Sequence, residues 1–442
     1  MSDSSSSTSS STSVSSASSS PPSGKFRAFL NAGHWPTLFS AFLYFDVCFA
    51  IWVLNGAMAP FISESFSLTA AQKGLMISLP IFSGALLRFP LGVLSEYIGR
   101  KPAAIVEMSL ICVALLYGCL FVHSYHAVLF MGLLLGIAGA SFGVALTLGS
   151  GSYPAEYKGL AMGIAGAGNS GTVIATLFGP PLAQRYGWNA VYGIALVPML
   201  IAMAVLILCA KEPEKQPPKK LSDYLKVITE KDAWTLNLVY VVTFGGFIGL
   251  ANFLPTFFHD QYGITKIKAG QFATMVVLMG SVARVLGGYL SDLWGGVKTL
   301  KIVLALVLVG VSMAGFLPAI VPMTLVLLLV FAGLGAGNGA VFQLVPLRFP
   351  FATAVASSLI GEIGALGGTI IPNAMGISRQ VSGSFAAGFA VFGFLTVASV
   401  SILILREKKW VNLWMAEGGK AMVPVAPLQE GRVVMVPAME IW

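Results

Sequence analysis

The chain has 442 residues, of which 56% are hydrophobic and only 10% are charged, and its mean hydropathy is +0.83. A soluble protein of this length needs more charge to cover its surface, so the composition excludes a soluble globular domain. The net charge of +8 would suit a nucleic-acid-binding protein, but the distribution of that charge indicates membrane topology instead.

Residues 2–20 are almost entirely serine, threonine and alanine, and two prolines follow. Such a segment cannot bury apolar area, so we expect residues 1–30 to be a disordered cytoplasmic tail. Apolar runs long enough to cross a hydrocarbon core, which takes about 20 residues, fill most of the remaining chain. We predict twelve membrane-spanning helices, spans 1 to 12, over residues 37–63, 73–96, 102–122, 127–152, 159–181, 188–210, 233–257, 269–293, 298–318, 323–347, 351–377 and 385–405.

A polar stretch at 211–232 divides the spans into two sets of six. We interpret it as a cytoplasmic linker, part of which (221–231) forms a short surface helix, between bundles at 31–210 and 233–405. Residues 406–442 are then a cytoplasmic tail. The cytoplasmic segments hold 19 basic residues and the external loops hold 5, an asymmetry that follows the positive-inside rule and predicts cytoplasmic termini.

Two arginines lie deep inside apolar spans, Arg88 in span 2 and Arg284 in span 8. An arginine surrounded by hydrocarbon costs several kcal/mol unless a partner satisfies it, and charges inside a membrane usually mark function. The pair therefore indicates a central site for a small anion. The alternative is that these arginines pair with Asp46 or Glu362 and only hold helices together.

The two halves of the chain are related by a constant shift of 196 residues. The shift carries Arg88 to Arg284, and it also carries Tyr44 to Tyr240 and Gly168 to Gly364. Because each half has an even number of spans, both halves enter the membrane in the same sense. The sequence therefore predicts an all-α integral membrane fold of two pseudo-symmetric six-helix bundles, with the two arginines facing each other near the midplane.

Three motifs carry a family resemblance. The segment Gly92–Lys101, GVLSEYIGRK, resembles the loop between spans 2 and 3 of the major facilitator superfamily. Glycine-rich segments of span 5 and span 11 are similar to the two signatures of the nitrate/nitrite porter family, and the arginine pair matches that family too. The signature glycines are Gly166, Gly168 and Gly171 in the first segment, and Gly364, Gly367 and Gly368 in the second.

The resemblance implies a transporter that clasps its anion between Arg88 and Arg284. It further implies that Tyr240, Phe244 and Phe142 line the site and that Asn169 helps to shape it. The chain departs from the family pattern at Ser141, where relatives often carry asparagine. Without the resemblance, the aromatic pair Tyr240 and Phe244 in span 7 would ordinarily be core residues. Asn169 would fit an interhelix hydrogen bond equally well.

The chemistry of the residues agrees with a planar oxyanion. Nitrate is flat and singly charged, and a guanidinium offers parallel N–H donors that match it in shape as well as charge. The glycine-rich segments of spans 5 and 11 let helix backbones approach closely. Such close approach serves static packing of the helices, and it also serves sliding of the halves.

Other polar groups complete the predicted machinery. Asp46 and Glu362 are the acidic candidates inside the spans, either for proton coupling or as structural partners. Glu96, Arg100 and Asp292 are interpreted as gate charges at the cytoplasmic ends, with ordinary surface charge as the alternative. We expect no metal, no cofactor and no disulfide, since the four cysteines lie in spans without a paired motif.

These observations predict a secondary transporter of nitrate, and of nitrite as a second substrate, in the cell membrane. We expect it to be a monomer that is not an enzyme, with the lipid bilayer and the anion as partners and no nucleic acid. Proton cotransport and nitrate/nitrite exchange stay open. The alternatives are a transporter of another small or organic anion, or a nitrate-binding membrane receptor.

Overall fold

The computed structural model describes residues 28–214, 226–350, 352–424 and 435–437. Within them, twelve helices are long and apolar enough to cross a membrane, which confirms the predicted number of spans. From span 1 to span 12 they run over Trp35–Phe66, Ala70–Ile98, Arg100–Leu120, Tyr125–Ser150, Leu160–Tyr186, Trp188–Cys209, Lys231–Tyr262, Lys266–Trp294, Gly296–Gly315, Ile320–Arg348, Val355–Ser382 and Ala386–Trp410.

Five of these spans are not continuous α-helices. A helix that leaves regular geometry frees backbone groups, and within a membrane such breaks are tolerated only where they are buried in protein or line a cavity. The pieces are Trp35–Trp52 and Leu54–Phe66 in span 1; Tyr125–Leu135, the 3₁₀ turn Gly136–Ala140 and Ser141–Ser150 in span 4; Ala155–Gly166, the 3₁₀ turn Ala167–Ser170 and Gly171–Tyr186 in span 5; Lys231–Tyr240, the π-helical turn Val241–Gly245 and Gly246–Tyr262 in span 7; and Thr353–Gly367 and Ile370–Ser382 in span 11.

The two signature segments pack backbone to backbone on the first span of their own half. A Cβ atom added at Gly171 would lie 2.0 Å from the carbonyl oxygen of Asp46 in span 1. A Cβ atom added at Gly245 of span 7 would lie 2.7 Å from the carbonyl oxygen of Gly364 in span 11. These glycines therefore set the closest approach of spans 5 and 11 to spans 1 and 7, where the helix breaks occur.

The chain is ordered slightly beyond the predicted bundles. Residues 28–32 are helical, and Phe29 is buried in a stacked contact with Tyr153, with ring centroids 4.9 Å apart. Of the predicted surface helix at 221–231, residues 226–229 are helical and the segment 221–225 lies outside the described residues. After span 12, the strands β1 (Met422–Pro424) and β2 (Met435–Pro437) pair antiparallel, an addition to the all-helical prediction.

We call the end of the bundle that carries the inter-half linker the linker end, and the opposite end the far end. Hydrogen bonds between the halves join Lys73 to Asp260, Lys266 to Glu64, Ala71 to Gln380, Ser78 to Asn373 and Thr176 to Thr274. All of these residues lie in the far part of their spans. The structure is therefore closed at the far end.

Candidate functional site

Arg88 lies between the two halves and bonds to both. Its Nε donates to the carbonyl oxygen of Gly139 at 3.0 Å, in the 3₁₀ turn of span 4. Its Nη1 donates to the carbonyl oxygen of Gly361 at 2.6 Å, in span 11 of the other half. Its Nη2 is buried and has no hydrogen-bond partner among the described residues. An unsatisfied buried donor of this kind costs about 1–3 kcal/mol, and more when it is charged.

Three aromatic rings surround the guanidinium of Arg88. The Cζ atom lies 5.3 Å from the ring centroid of Trp52, 5.5 Å from that of Phe142 and 5.4 Å from that of Phe244. Phe142 and Phe244 were expected here, and they come from opposite halves. Cation–π contacts of this length stabilise a desolvated cation without neutralising its charge.

Trp52 was not anticipated from the sequence. Its indole Nε1 donates to the carbonyl oxygen of Pro80 at 2.7 Å, and the ring packs over Gly84 and Gly139 so closely that neither has room for a Cβ atom. A tryptophan in the middle of a span, away from the interfaces that this residue usually prefers, is the signal that could have pointed to it.

Arg284 faces the same region from the second half. Tyr240 lies near Arg284, and both Arg284 and Glu362 lie within electrostatic reach of Arg88. The Tyr240 ring stacks on Phe244 with centroids 5.1 Å apart. Arg88 and Arg284 therefore lie in one region with the aromatic residues of spans 4 and 7.

Phe342 of span 10 is a further aromatic residue that the sequence did not single out. Its ring meets Tyr240 edge-on, with centroids 5.2 Å apart, and lies 6.2 Å from Phe142 of the other half. It therefore closes the aromatic wall between the halves on the side of the site toward the linker end.

Neither arginine forms an ion pair with a carboxylate within the described residues. Asp46 instead accepts a hydrogen bond from Ser170 Oγ of span 5 at 2.6 Å. This bond favours the structural alternative for Asp46, in which it supports a broken helix. Glu362 acts on Arg88 from a distance beyond that of an ion pair.

Asn169 lies in the 3₁₀ turn of span 5 and is 3% exposed. Its side-chain amide makes no hydrogen bond to another described residue. The next residue in the turn, Ser170, donates a hydrogen bond to Asp46 of span 1.

Asp46 and Glu362 were the acidic candidates expected inside the spans, but the structure buries a further acidic residue there. Glu107, in the middle of span 3, is 1% exposed. It accepts a hydrogen bond through Oε2 from the hydroxyl of Tyr44, and its Oε1 has no partner within the described residues. Its neighbours in sequence are apolar on both sides, and a single acid in an apolar run is the signal that should have identified it.

The predicted gate charges lie at the linker end of their spans. The backbone N–H groups of Arg100 and Lys101 both donate to the Glu212 carboxylate at 2.7 Å, so the linker caps span 3. Asp292 is exposed, and Glu96 lies near the linker end of span 2. At the opposite end, the ion pairs of Lys73 with Asp260 and of Lys266 with Glu64 join the two halves.

Comparison with known proteins agrees with this architecture. The model of the Major Facilitator Superfamily matches residues 40–372. The nitrite extrusion protein of Bacillus subtilis (strain 168) is 30% identical over 358 residues, which cover 80% of this chain and 90% of the relative. The probable nitrate transporter NarT of Staphylococcus carnosus (strain TM300) is 30% identical over 359 residues, which cover 80% of this chain and 92% of that relative.

Solved structures share the fold at low identity. The D-xylose-proton symporter superposes with a TM-score of 0.71 at 14% identity, covering 83% of this chain and 96% of that one. A bacterial homolog to the human lysosomal transporter Spinster gives a TM-score of 0.66 at 18% identity, covering 85% of this chain and 97% of that one.

Proposed function

The chain belongs to the major facilitator superfamily and is a multi-pass membrane transport protein, and from this premise we propose that it carries nitrate, with nitrite as a second substrate. The anion is held between Arg88 and Arg284. The observation that carries the proposal is the state of Arg88 within the described part of the chain. Its buried Nη2 has no partner there, three aromatic rings surround the guanidinium, and no carboxylate pairs with it. The names of the relatives support the choice of anion.

A planar oxyanion suits this surrounding on three grounds. It accepts parallel N–H bonds from a guanidinium, which satisfies the orphaned donor of Arg88. It brings one negative charge to two cations that form no ion pair with a carboxylate within the described residues. Its faces stack against aromatic rings that also exclude water, so a strongly hydrated anion is disfavoured.

Transport follows from the position of the clasp between the halves. An anion bonded to both arginines draws the bundles together, and the empty pair resists the same movement because the cations repel each other. The halves then rock around the site between states open at one end and at the other. We assign the linker end and both termini to the cytoplasm on the basic-residue asymmetry, and we propose a monomer that takes up its anion.

The test is counterflow of labelled nitrate in liposomes that contain the purified full-length protein. Arg88→Lys and Arg284→Lys keep the positive charge but lose the bidentate fork, so each should reduce counterflow at least tenfold with unchanged thermal stability. Arg185→Lys, at an exposed position near the far end of span 5, is the matched control and should behave as the wild type. Normal counterflow in both site variants rejects the clasp.

Competition in the same vesicles separates the candidate substrates. Nitrite should compete with nitrate, whereas acetate and larger carboxylates should not. Strong competition by carboxylates without competition by nitrite would assign the site to an organic anion.

A further inference from the structure

Glu107 and Tyr44 form a buried polar pair that the nitrate site does not use. Both side chains are at most 1% exposed, and the hydroxyl of Tyr44 in span 1 donates to Oε2 of Glu107 in span 3. Oε1 of the same carboxyl group is buried and lacks a partner within the described residues. A carboxyl group with one oxygen bonded and one bare at this depth is costly as an anion, and a proton on the bare oxygen removes the charge.

Among the described residues, no basic side chain is positioned to neutralise Glu107. The titratable groups that face it are Tyr44 and Cys48 of span 1 and Cys112 of its own helix. Spans 4 and 6, which pack against span 3, carry no lysine, arginine, aspartate or glutamate. Span 2, also packed against span 3, carries Lys73, which pairs with Asp260, Arg88, which lies in the central site, and Glu96, near the linker end.

The pair is mechanically connected to the central site. Phe45, next to Tyr44 in span 1, packs against Phe142 with ring centroids 5.5 Å apart. Cys48 lies near Ser141, the residue before Phe142. Phe142 in turn lies over the guanidinium of Arg88. A movement of span 1 against spans 3 and 4 therefore changes the Glu107 pair and the anion site together.

We propose that Glu107 is a proton-binding site that couples anion transport to a proton gradient, with Tyr44 as its positioning partner. One proton adds to Oε1 from water on one side of the membrane and leaves to water on the other side, with no other bond made or broken. Since the anion carries one negative charge, moving it with that proton transfers no net charge. The inference rests on the proposed function, because the coupled anion is the one held by Arg88 and Arg284.

The experiment uses purified full-length protein in liposomes with a pH-sensitive dye trapped inside. In the wild type, external nitrate should acidify the lumen, and an inward proton gradient should drive nitrate accumulation. Glu107→Gln should keep nitrate counterflow, which needs no net proton movement, within about threefold, while acidification and gradient-driven accumulation fall at least tenfold. Glu407→Gln is the control, because this carboxyl group pairs with Lys301 at the linker end, far from the site.

The outcomes separate the two proposals. A wild type without nitrate counterflow rejects the proposed function. A wild type with counterflow but without nitrate-driven acidification rejects only the coupling, and so does a Glu107→Gln variant that acidifies the lumen as fast as the wild type.

Infrared difference spectra keep the proposal testable if Glu107→Gln does not fold. The wild type in lipid should show a carboxylic-acid C=O band that disappears as the pH is raised, and Glu107→Asp should shift the frequency of that band. Absence of the band at every pH, or a band that Glu107→Asp leaves unmoved, would overturn the assignment of the proton to Glu107.

Discussion

Glu64 and Asp260 occupy equivalent positions in the two halves, and each forms an ion pair with a lysine of the opposite half. The shift of 196 residues carries Glu64 onto Asp260. Glu64 pairs with Lys266 at the start of span 8, and Oδ2 of Asp260 lies 2.6 Å from Nζ of Lys73 near the start of span 2. The two pairs cross the interface in opposite directions, so together they hold the far end closed.

Removing both lysines should shift the protein toward a state that is open at the far end. The partly exposed pair of Lys73 with Asp260 contributes up to about 1 kcal/mol, so Lys73→Gln with Lys266→Gln should raise the open population by about fivefold. A cysteine placed at Thr274, which is 8% exposed at the closed interface, reports the change. Its labelling rate by an impermeant maleimide, read at that position by mass spectrometry, should rise by the same factor.

Lys268→Gln is the matched control for this prediction, because Lys268 lies on the same helical turn as Lys266 but is exposed and forms no ion pair within the described residues. Its labelling rate should equal that of the wild type. Equal rates in the control and in the double variant would show that the ion pairs do not hold the interface.

The signature glycines should differ in their tolerance of a single methyl group. At Gly171 a Cβ atom would meet backbone atoms of span 1 at 2.0 and 2.7 Å, which only a backbone shift can relieve. At Gly163, in the same span, nothing lies within 4 Å. Gly171→Ala should therefore cost about 1–3 kcal/mol and lower the midpoint of thermal unfolding in detergent, whereas Gly163→Ala should not. A fully stable Gly171→Ala variant would contradict the backbone packing of span 5 on span 1.

Asp46 should prove to be structural. Asparagine retains an oxygen acceptor for Ser170 Oγ, and alanine retains none. Asp46→Asn should therefore keep nitrate counterflow and its pH dependence within about twofold, while Asp46→Ala should lose about 1–3 kcal/mol of stability. If Asp46→Asn abolished the pH dependence, this carboxyl group would carry the proton instead of Glu107.

The sequence predicted what composition and repetition specify. Apolar runs determined the twelve spans, because a bilayer permits few other structures. The internal repeat predicted that Arg88 and Arg284 face the same centre, and the family resemblance predicted that Phe142 and Phe244 line the site there.

The residues that sequence reasoning missed have no counterpart of their kind in the other half. The shift of 196 pairs Trp52 with Ile248, Glu107 with Val303 and Phe342 with Leu146. Their contacts are long-range, joining spans far apart in the chain, so no local pattern encodes them. The proposed mechanism accounts for this asymmetry, since one anion cannot be surrounded by two identical walls and a proton site is needed only once.

Phe342 gives the sharpest test of that asymmetric wall. It supports Tyr240 edge-on and meets Phe142 across the interface, and aromatic pairs of this kind contribute about 0.5–1.5 kcal/mol each. Phe342→Ala removes both contacts and frees the Tyr240 hydroxyl from its position at Arg284, so the KM for nitrate in counterflow should rise about tenfold. Phe342→Leu keeps apolar bulk but lacks the ring edge, so its KM should lie between those of the wild type and Phe342→Ala.

Phe394→Ala is the control, at a position 72% exposed in span 12, and it should leave the KM unchanged. An unchanged KM in Phe342→Ala would mean that the anion lies away from the Tyr240 face, and the clasp would then have to be rebuilt around Arg88 alone.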